Sequence, residues 1–454
     1  MNTPRILSRR RAGALLPLSA LWREGSGALG EAALRFVDWL AEAGFSVWQV
    51  LPLVPVGEAG SPYWSRADRA GEPSLIDPRE PDPGSEADLA AFRAAAAEWI
   101  EDYALFEALS REQGAAPWWL WPAPLRDREP QALAAAAARH ARQIEGIVRT
   151  QWRFDAQWRR LREHAQARGI ALFGDLPIYV APDSVATWSD PAQFMLDAGG
   201  KPDPVAGVPP DYFAEDGQLW GNPLYNWPQH QRDGFAFWLR RLRLLAERFD
   251  LLRIDHFRGL AAYWAVPAAA ATARAGQWIQ APGRQMLQRV TTLLPQLELV
   301  AEDLGVITPD VVALRRDFAL PGMRVLQFGF DGDPANLHLP HHHDQDSVVY
   351  TGTHDNDTTV GWYAGLGDAG RDRVRRYLGR ADDEVVDALR RAALASVGRL
   401  AVLPVQDILH LGSEARLNTP GTVTGNWSWR LPEGALYGDL ARRYRELNGL
   451  YDRS

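Results

Sequence analysis

The chain has 454 residues, 46% hydrophobic and 23% charged, the proportions of a globular protein with a large core. A formal net charge of −8 leaves no evident basic face for nucleic acid or acidic lipid, and the lack of cysteine removes disulfides, thiol catalysis and Cys-ligated metal. No run approaches the ~18 apolar residues of a membrane span. Ser8 and Arg9–Arg11 ahead of Ala12–Trp22 mimic an export signal, but Pro17, the immediate Arg23-Glu24 and the missing small-x-small site argue against one. A cytoplasmic protein is expected.

In chain order, Gly13–Ser19 is an apolar run and a first strand. Leu29–Ala43 follows with apolar residues at helical spacing (Leu29, Ala33, Phe36, Val37, Leu40), and Ser46–Pro55 is a second strand with a proline-rich exit. Strand, helix, strand is the opening of a parallel sheet with crossover helices. Gly57–Glu86 is rich in Gly, Pro and charge and reads as loop, with a strand-like nub at Ser74–Ile76. Ala87–Gln113 and Gln131–Gly169 are long, Ala- and Arg-rich and helical in period. The chain therefore divides into 1–56 (strands one and two), a mainly helical insertion over 57–169, and 170–454 for the remaining strands.

Ile170–Val180 resumes the sheet. Val205–Trp227 is long, aromatic and rich in Gly and Pro, as binding loops and lids are. Phe235–Phe249 is helical and leads into LLRIDHFRGL, residues 251–260. Counting Leu297–Gly305, Met323–Phe330, Ser347–Thr359 and Leu400–Leu409, eight candidate strands emerge, near 13–19, 46–53, 170–178, 250–256, 297–303, 323–330, 347–353 and 400–407. Eight strands with intervening helices are the arithmetic of an α/β fold of the (β/α)8 TIM-barrel type, whose sites sit at the C-terminal strand ends. Acids gather there: Asp175, Asp255, Glu302 with Asp303, and Asp355 with Asp357.

The stretch at 251–260 is the most telling, an apolar strand that turns abruptly charged. Alternation along it points Arg253 and Asp255 the same way, and a guanidinium beside a carboxylate holds it ionised with a lowered pKa. Clustered carboxylates suit either a Mg²⁺ or Mn²⁺ site or glycoside chemistry, in which one carboxylate attacks the anomeric carbon and another protonates the leaving oxygen. Arg253 favours the second, because a cation competes with a metal for Asp255; no metal and no cofactor are expected. His256 and His354 suit donation to sugar hydroxyls, the bland alternative being structural histidines. Of 19 tryptophans most belong to the core, Trp48 and Trp152 among them, whereas Trp220, beside Gly221-Asn222-Pro223 in the long loop, suits a pyranose face. His341-His342-His343-Asp344 reads as a solvated loop and not as a metal site.

LLRIDHFRG, LVAEDLGVITP, VVYTGTHDNDTT, VAGVPPDYF, GNPLYNW, ALPGMRVLQF, LPVQD, GSEARLN and GNWSWR together resemble the amylomaltase, or 4-α-glucanotransferase, family of the α-amylase clan. The resemblance runs from about Asp102 to Arg430. It implies a (β/α)8 barrel without a C-terminal β-sandwich, and malto-oligosaccharides and α-1,4-glucans as substrates. It makes Asp255 the nucleophile, Glu302 the acid and base, and Asp355 the third carboxylate. Arg253, His354 and Asp175 then support the −1 sugar, with Tyr63 a further contact, and Trp220, Tyr212 and Phe213 belong to the lid and acceptor side; His256 and Asn222 are further candidate substrate contacts. The N-terminal part departs from the family. HPTSLPG becomes Pro17-Leu18-Ser19-Ala20-Leu21-Trp22, GYGDSPYQ becomes the segment Gly57–Trp64, and the insertion is several dozen residues shorter. The leading expectation is retaining glucan transfer. A hydrolase or narrow-acceptor transferase of the same clan and a silent glucan-binding protein are the alternatives.

Overall fold

A computed structural model describes residues 5–57, 60–210, 215–422 and 424–454. Eight parallel strands form one sheet: β1 (Arg11–Leu15), β2 (Val47–Gln49), β3 (Ala171–Leu176), β4 (Leu251–Ile254), β5 (Glu298–Ala301), β6 (Gly322–Val325), β7 (Ser347–Tyr350) and β8 (Leu400–Pro404). The order β6-β7-β8-β1-β2-β3-β4-β5 runs round the sheet. At the remaining seam the Ala301 amide donates to the Pro321 carbonyl at 2.9 Å, and the Met323 amide to the Asp303 carboxylate at 2.7 Å. The sheet thus closes almost fully, which is the TIM barrel expected from the strand count. Most strand residues meet a packed layer on one face or the other, so the runs read as largely apolar: Leu251, Leu252 and Ile254 are all buried. Asp175 and Arg253 are buried charges within these strands, and they anchor the candidate site.

Every expected strand exists, but several end earlier. Leu326–Gly329, expected as the end of a strand, is a 3-10 helix; so is Leu18–Leu21, and Val405–Ile408 is a helical turn. An apolar run cannot show where pairing stops, because the turn above a strand is buried as deeply as the strand. The nub at Ser74–Ile76 is likewise a 3-10 helix, Pro73–Leu75, with Pro at its first position and Glu72 accepting from the Ser74 amide. The apolar stretch that mimics an export signal is barrel strand β1, its Ala12, Ala14 and Leu15 buried.

Between β2 and β3 lie the helices Glu86–Ala95, Ile100–Glu112, Pro130–Arg139 and Ala141–Ala167. The two long helical stretches of the sequence are thus four helices, broken near Ala96 and at His140. They pack round a core of their own, with Phe106, Trp121, Trp152 and Trp188. The last helix also reaches the barrel, where Trp158 packs edge-on against Phe249. The stretch Val205–Trp227 is more ordered than a loop. Val205–Val208 and Gln218–Pro223 pair antiparallel and join Ala262–Val266 and Gln277–Gln280 in a four-stranded sheet. Short strands separated by glycine and proline hide this pairing from a periodicity count. Among the described residues, β8 is followed by short turns and the helix Gly438–Leu450. Among the described residues no helix is long and apolar enough to cross a membrane.

Candidate active site

Asp175 on β3 and Arg253 on β4 are register partners on adjacent strands. One Arg253 nitrogen, Nη1, donates to both Asp175 oxygens at 2.7 and 2.8 Å, and the other, Nη2, reaches Asp255 at 3.0 Å. Tyr63 donates its hydroxyl to Asp175 at 2.8 Å and stacks on His354, ring centroids 5.1 Å apart. Asp175 and Arg253 are buried, while the Asp255 side chain keeps 26% of its surface open to the cleft.

Arg253 does point with Asp255 and pulls its pKa down as expected, but the expected net lowering is overturned. Burial pushes Asp255 up to about 7; Arg253 opposes this, and the negative charges of Asp175 and Glu302 add to it. The physical reason is that Arg253 is shared. Its charge is largely answered by Asp175, so less is left to stabilise the second carboxylate. Arg253 itself is pulled down by burial and pushed further up by Asp175 and Asp255, and it stays charged.

Glu302 follows β5 and folds back onto the turn after β4. Its carboxyl accepts from the His256 amide at 2.6 Å and the Leu304 amide at 2.9 Å, and its carbonyl accepts from Phe257. Burial raises its pKa, against the pull of Arg253 and those two amides. His256 makes this clasp possible by adopting a left-handed backbone, φ 46°, which turns its amide toward Glu302. Burial drives the His256 ring down to about 3, with Arg258 and Arg253 adding to the effect, so it is neutral. Burial also lowers His354.

Asp355 stands after β7. Asn418 donates to its Oδ1 at 2.6 Å, and His354 Nε2 lies 3.4 Å from its Oδ2. The other two expected acids turn away from the mouth. Asp303 is buried against Arg315 and Arg324, and Asp357 accepts from Ser413 and the Thr358 amide. Among the described residues no cluster of three or more His, Asp or Glu has the geometry to hold a metal.

On the rim, Trp220 meets the His256 ring edge-on at 4.7 Å, and its indole nitrogen donates to Gln218. Asn222 is buried and donates to the Val180 carbonyl at 2.8 Å. This bond ties the hairpin to the segment after β3. Tyr212 and Phe213 lie outside the described residues.

A family model described as 4-alpha-glucanotransferase matches residues 16–82 and 79–436. The chain belongs to this family. It is 46% identical to the 4-alpha-glucanotransferase of Thermus thermophilus, covering 96% of this chain and 98% of that one. With the 4-alpha-glucanotransferase of Synechocystis it shares 41% identity, over 99% of each chain. Its fold superposes on the amylomaltase of Streptococcus agalactiae, solved with acarbose, at a TM-score of 0.93 and 31% identity, covering 98% of this chain and 100% of that one.

Two uncharged residues, Asn418 and Trp427, also stand at this mouth, where clustered acids give no hint of them. Asn418 orients Asp355, and Arg416 beside it donates to the Asp355 carbonyl at 2.8 Å. Trp427, also left-handed at φ 60°, tilts its ring over Tyr63 and His354 at 6.1 and 5.9 Å. Both lie in motifs that resemble the family, GSEARLN and GNWSWR, but nothing in their spacing points to β7. The three-histidine run splits: His341 and His342 are exposed as expected, while His343 is buried and pairs with Ser396 at 2.8 Å.

Proposed function

We propose that Asp255, Glu302 and Asp355 carry out retaining transfer of α-1,4-glucan segments from one malto-oligosaccharide to another, or to glucose. Asp255 attacks the anomeric carbon as the glycosidic C–O bond breaks, and Glu302 gives its proton to the departing 4-oxygen. The glucan is then an ester on Asp255. An acceptor 4-hydroxyl yields its proton to Glu302 and attacks the same carbon, releasing Asp255 and restoring the α-linkage. Asp355, aimed by Asn418, holds hydroxyls of the −1 sugar, with His354, His256, Tyr63 and the Asp175–Arg253 pair around it. The reaction calls for no cofactor, metal or nucleic acid, and its substrates fit a cytoplasmic setting.

One observation carries the reading. Glu302, after β5, clasps the turn that carries Asp255 after β4, and both carboxyls are raised by burial and each further by a neighbouring carboxylate. Two such carboxyls hold one proton more readily than none, which is the state a nucleophile and acid need. Arg253 touches Asp255 and so favours the anion there. Incubation with maltotriose, with products resolved by length, tests the reading. A ladder of longer chains together with glucose is expected; glucose and maltose alone mean hydrolysis, and an unchanged substrate means binding only.

A further inference from the structure

Trp64 directly follows Tyr63, the residue that reaches Asp175, yet it lies in the open against the hairpin. It is one of the large apolar side chains the fold leaves outside, at 36% exposure. The loop beneath it is braced. Val56 bridges Ser65, the Trp64 amide donates to the Ser61 carbonyl, and Ser65 Oγ bonds the carbonyls of Pro55 and Ala67 at 2.6 Å. The indole lies close over Gly57, where a Cβ would meet its Cδ1 at 3.1 Å. Its far end reaches the hairpin, where a Cβ on Gly221 would come within 3.8 Å of its Cη2. Gly221, left-handed at φ 79°, is the residue after Trp220. Among the described residues the Trp64 indole nitrogen has no hydrogen-bond partner. A large aromatic held from below, open above and carrying a spare donor is ill-suited to core packing and well suited to a pyranose ring.

We infer that Trp64 is a second sugar platform on the rim, one step outward from Trp220, that binds a glucosyl unit of the acceptor beyond the one nearest the reacting carbon. The inference rests on the reading of Trp220 as an acceptor contact. Its effect is specificity for acceptor length. Glucose ends at Trp220, whereas maltose and maltotriose extend to Trp64 and gain a stacked ring and a hydrogen bond.

The test uses Trp64→Ala and Trp64→Phe in the full chain, with α-maltosyl fluoride as donor and glucose, maltose or maltotriose as acceptor. Fluoride release reports formation of the Asp255 ester, and chain-resolved products report transfer. For Trp64→Ala the kcat/KM for maltotriose should fall about tenfold relative to that for glucose, the size expected of one lost aromatic platform. The loss should lie mainly in KM, and Trp64→Phe should recover most of it. An equal loss for all acceptors, or no loss for any, overturns the inference. So does a loss confined to fluoride release, which would put the platform on the donor side. Trp220→Ala in the same assay separates the two readings: if it lowers fluoride release and glucose transfer by one factor, the acceptor reading of Trp220 fails, whatever Trp64 does.

Discussion

Asp175 and Arg253 face each other across adjacent barrel strands, both buried, while Trp64 on a loop and Trp220 on a hairpin stand at the rim, the first exposed and the second half-buried. On the floor, each group is held by a bond that strand register dictates, and moving one leaves another unpaired. On the rim, positions are set by turns, single hydrogen bonds and ring contacts, and a change there alters what is recognised more than what is done. One departure from the family pattern, Gly57–Trp64, falls in the second region, while the other, Pro17–Trp22, is a mostly buried turn above β1. The carboxylates fall in the first. On the proposed reading, chemistry rests on the part of the fold that tolerates least, and choice of substrate on the part that tolerates most.

The contrast breaks most severely at Asp255. Asp255→Asn should lower both fluoride release and transfer by about 10⁴-fold or more, since no ester can form. The same variant should be more stable than the wild type at high pH. A carboxyl whose folded pKa is raised gives stability below its unfolded pKa and loses it as pH rises toward the folded value, here about 7. Melting curves at pH 5 and pH 8 should therefore show the variant's advantage growing with pH, by about 1–2 kcal/mol. A constant difference would mean that Asp255 is solvated in the folded state.

Arg253→Ala is the next largest change and tests the floor as a structural unit. Asp175 and Asp255 would be left facing each other without a cation, a loss of about 3–5 kcal/mol by urea unfolding. Activity should fall along with stability. If stability stays within about 0.5 kcal/mol of the wild type, the pair is not a buried keystone.

Trp220→Ala sharpens the rim side. Water is present at ~55 M, so transfer wins only when an acceptor is held at a large effective molarity and water is kept out. Removing the indole should shift products from a ladder toward free reducing ends by roughly tenfold, while bond cleavage falls less. Equal loss of cleavage and transfer would place Trp220 on the donor side. The smallest effect expected is none: neither EDTA nor added Mg²⁺ should change the rate, because Arg253 holds the electrostatic position beside Asp255. Loss in EDTA that Mg²⁺ restores would point to a bound cation.

The sequence by itself determined the barrel and the acids gathered at its strand ends. Eight apolar runs, each long enough to cross a packed layer, leave little choice of fold once crossover helices lie between them, and charges at the ends of such runs come close to the mouth, though Asp303 and Asp357 turn away from it. Asp175, Asp255, Glu302 and Asp355 were legible for that reason. Tertiary structure alone decided which charges meet. Arg253 divides itself between two carboxylates because β3 and β4 align Asp175 with it, and register between strands separated by 78 residues is not written in either strand. The same holds for the Glu302 clasp, which needs a left-handed His256, for Asn418 reaching back 63 positions to Asp355, and for the hairpin hidden in a stretch that reads as loop. Periodicity reports what a residue does within its own element; a hydrogen bond between distant elements depends on where the rest of the chain has placed its partner.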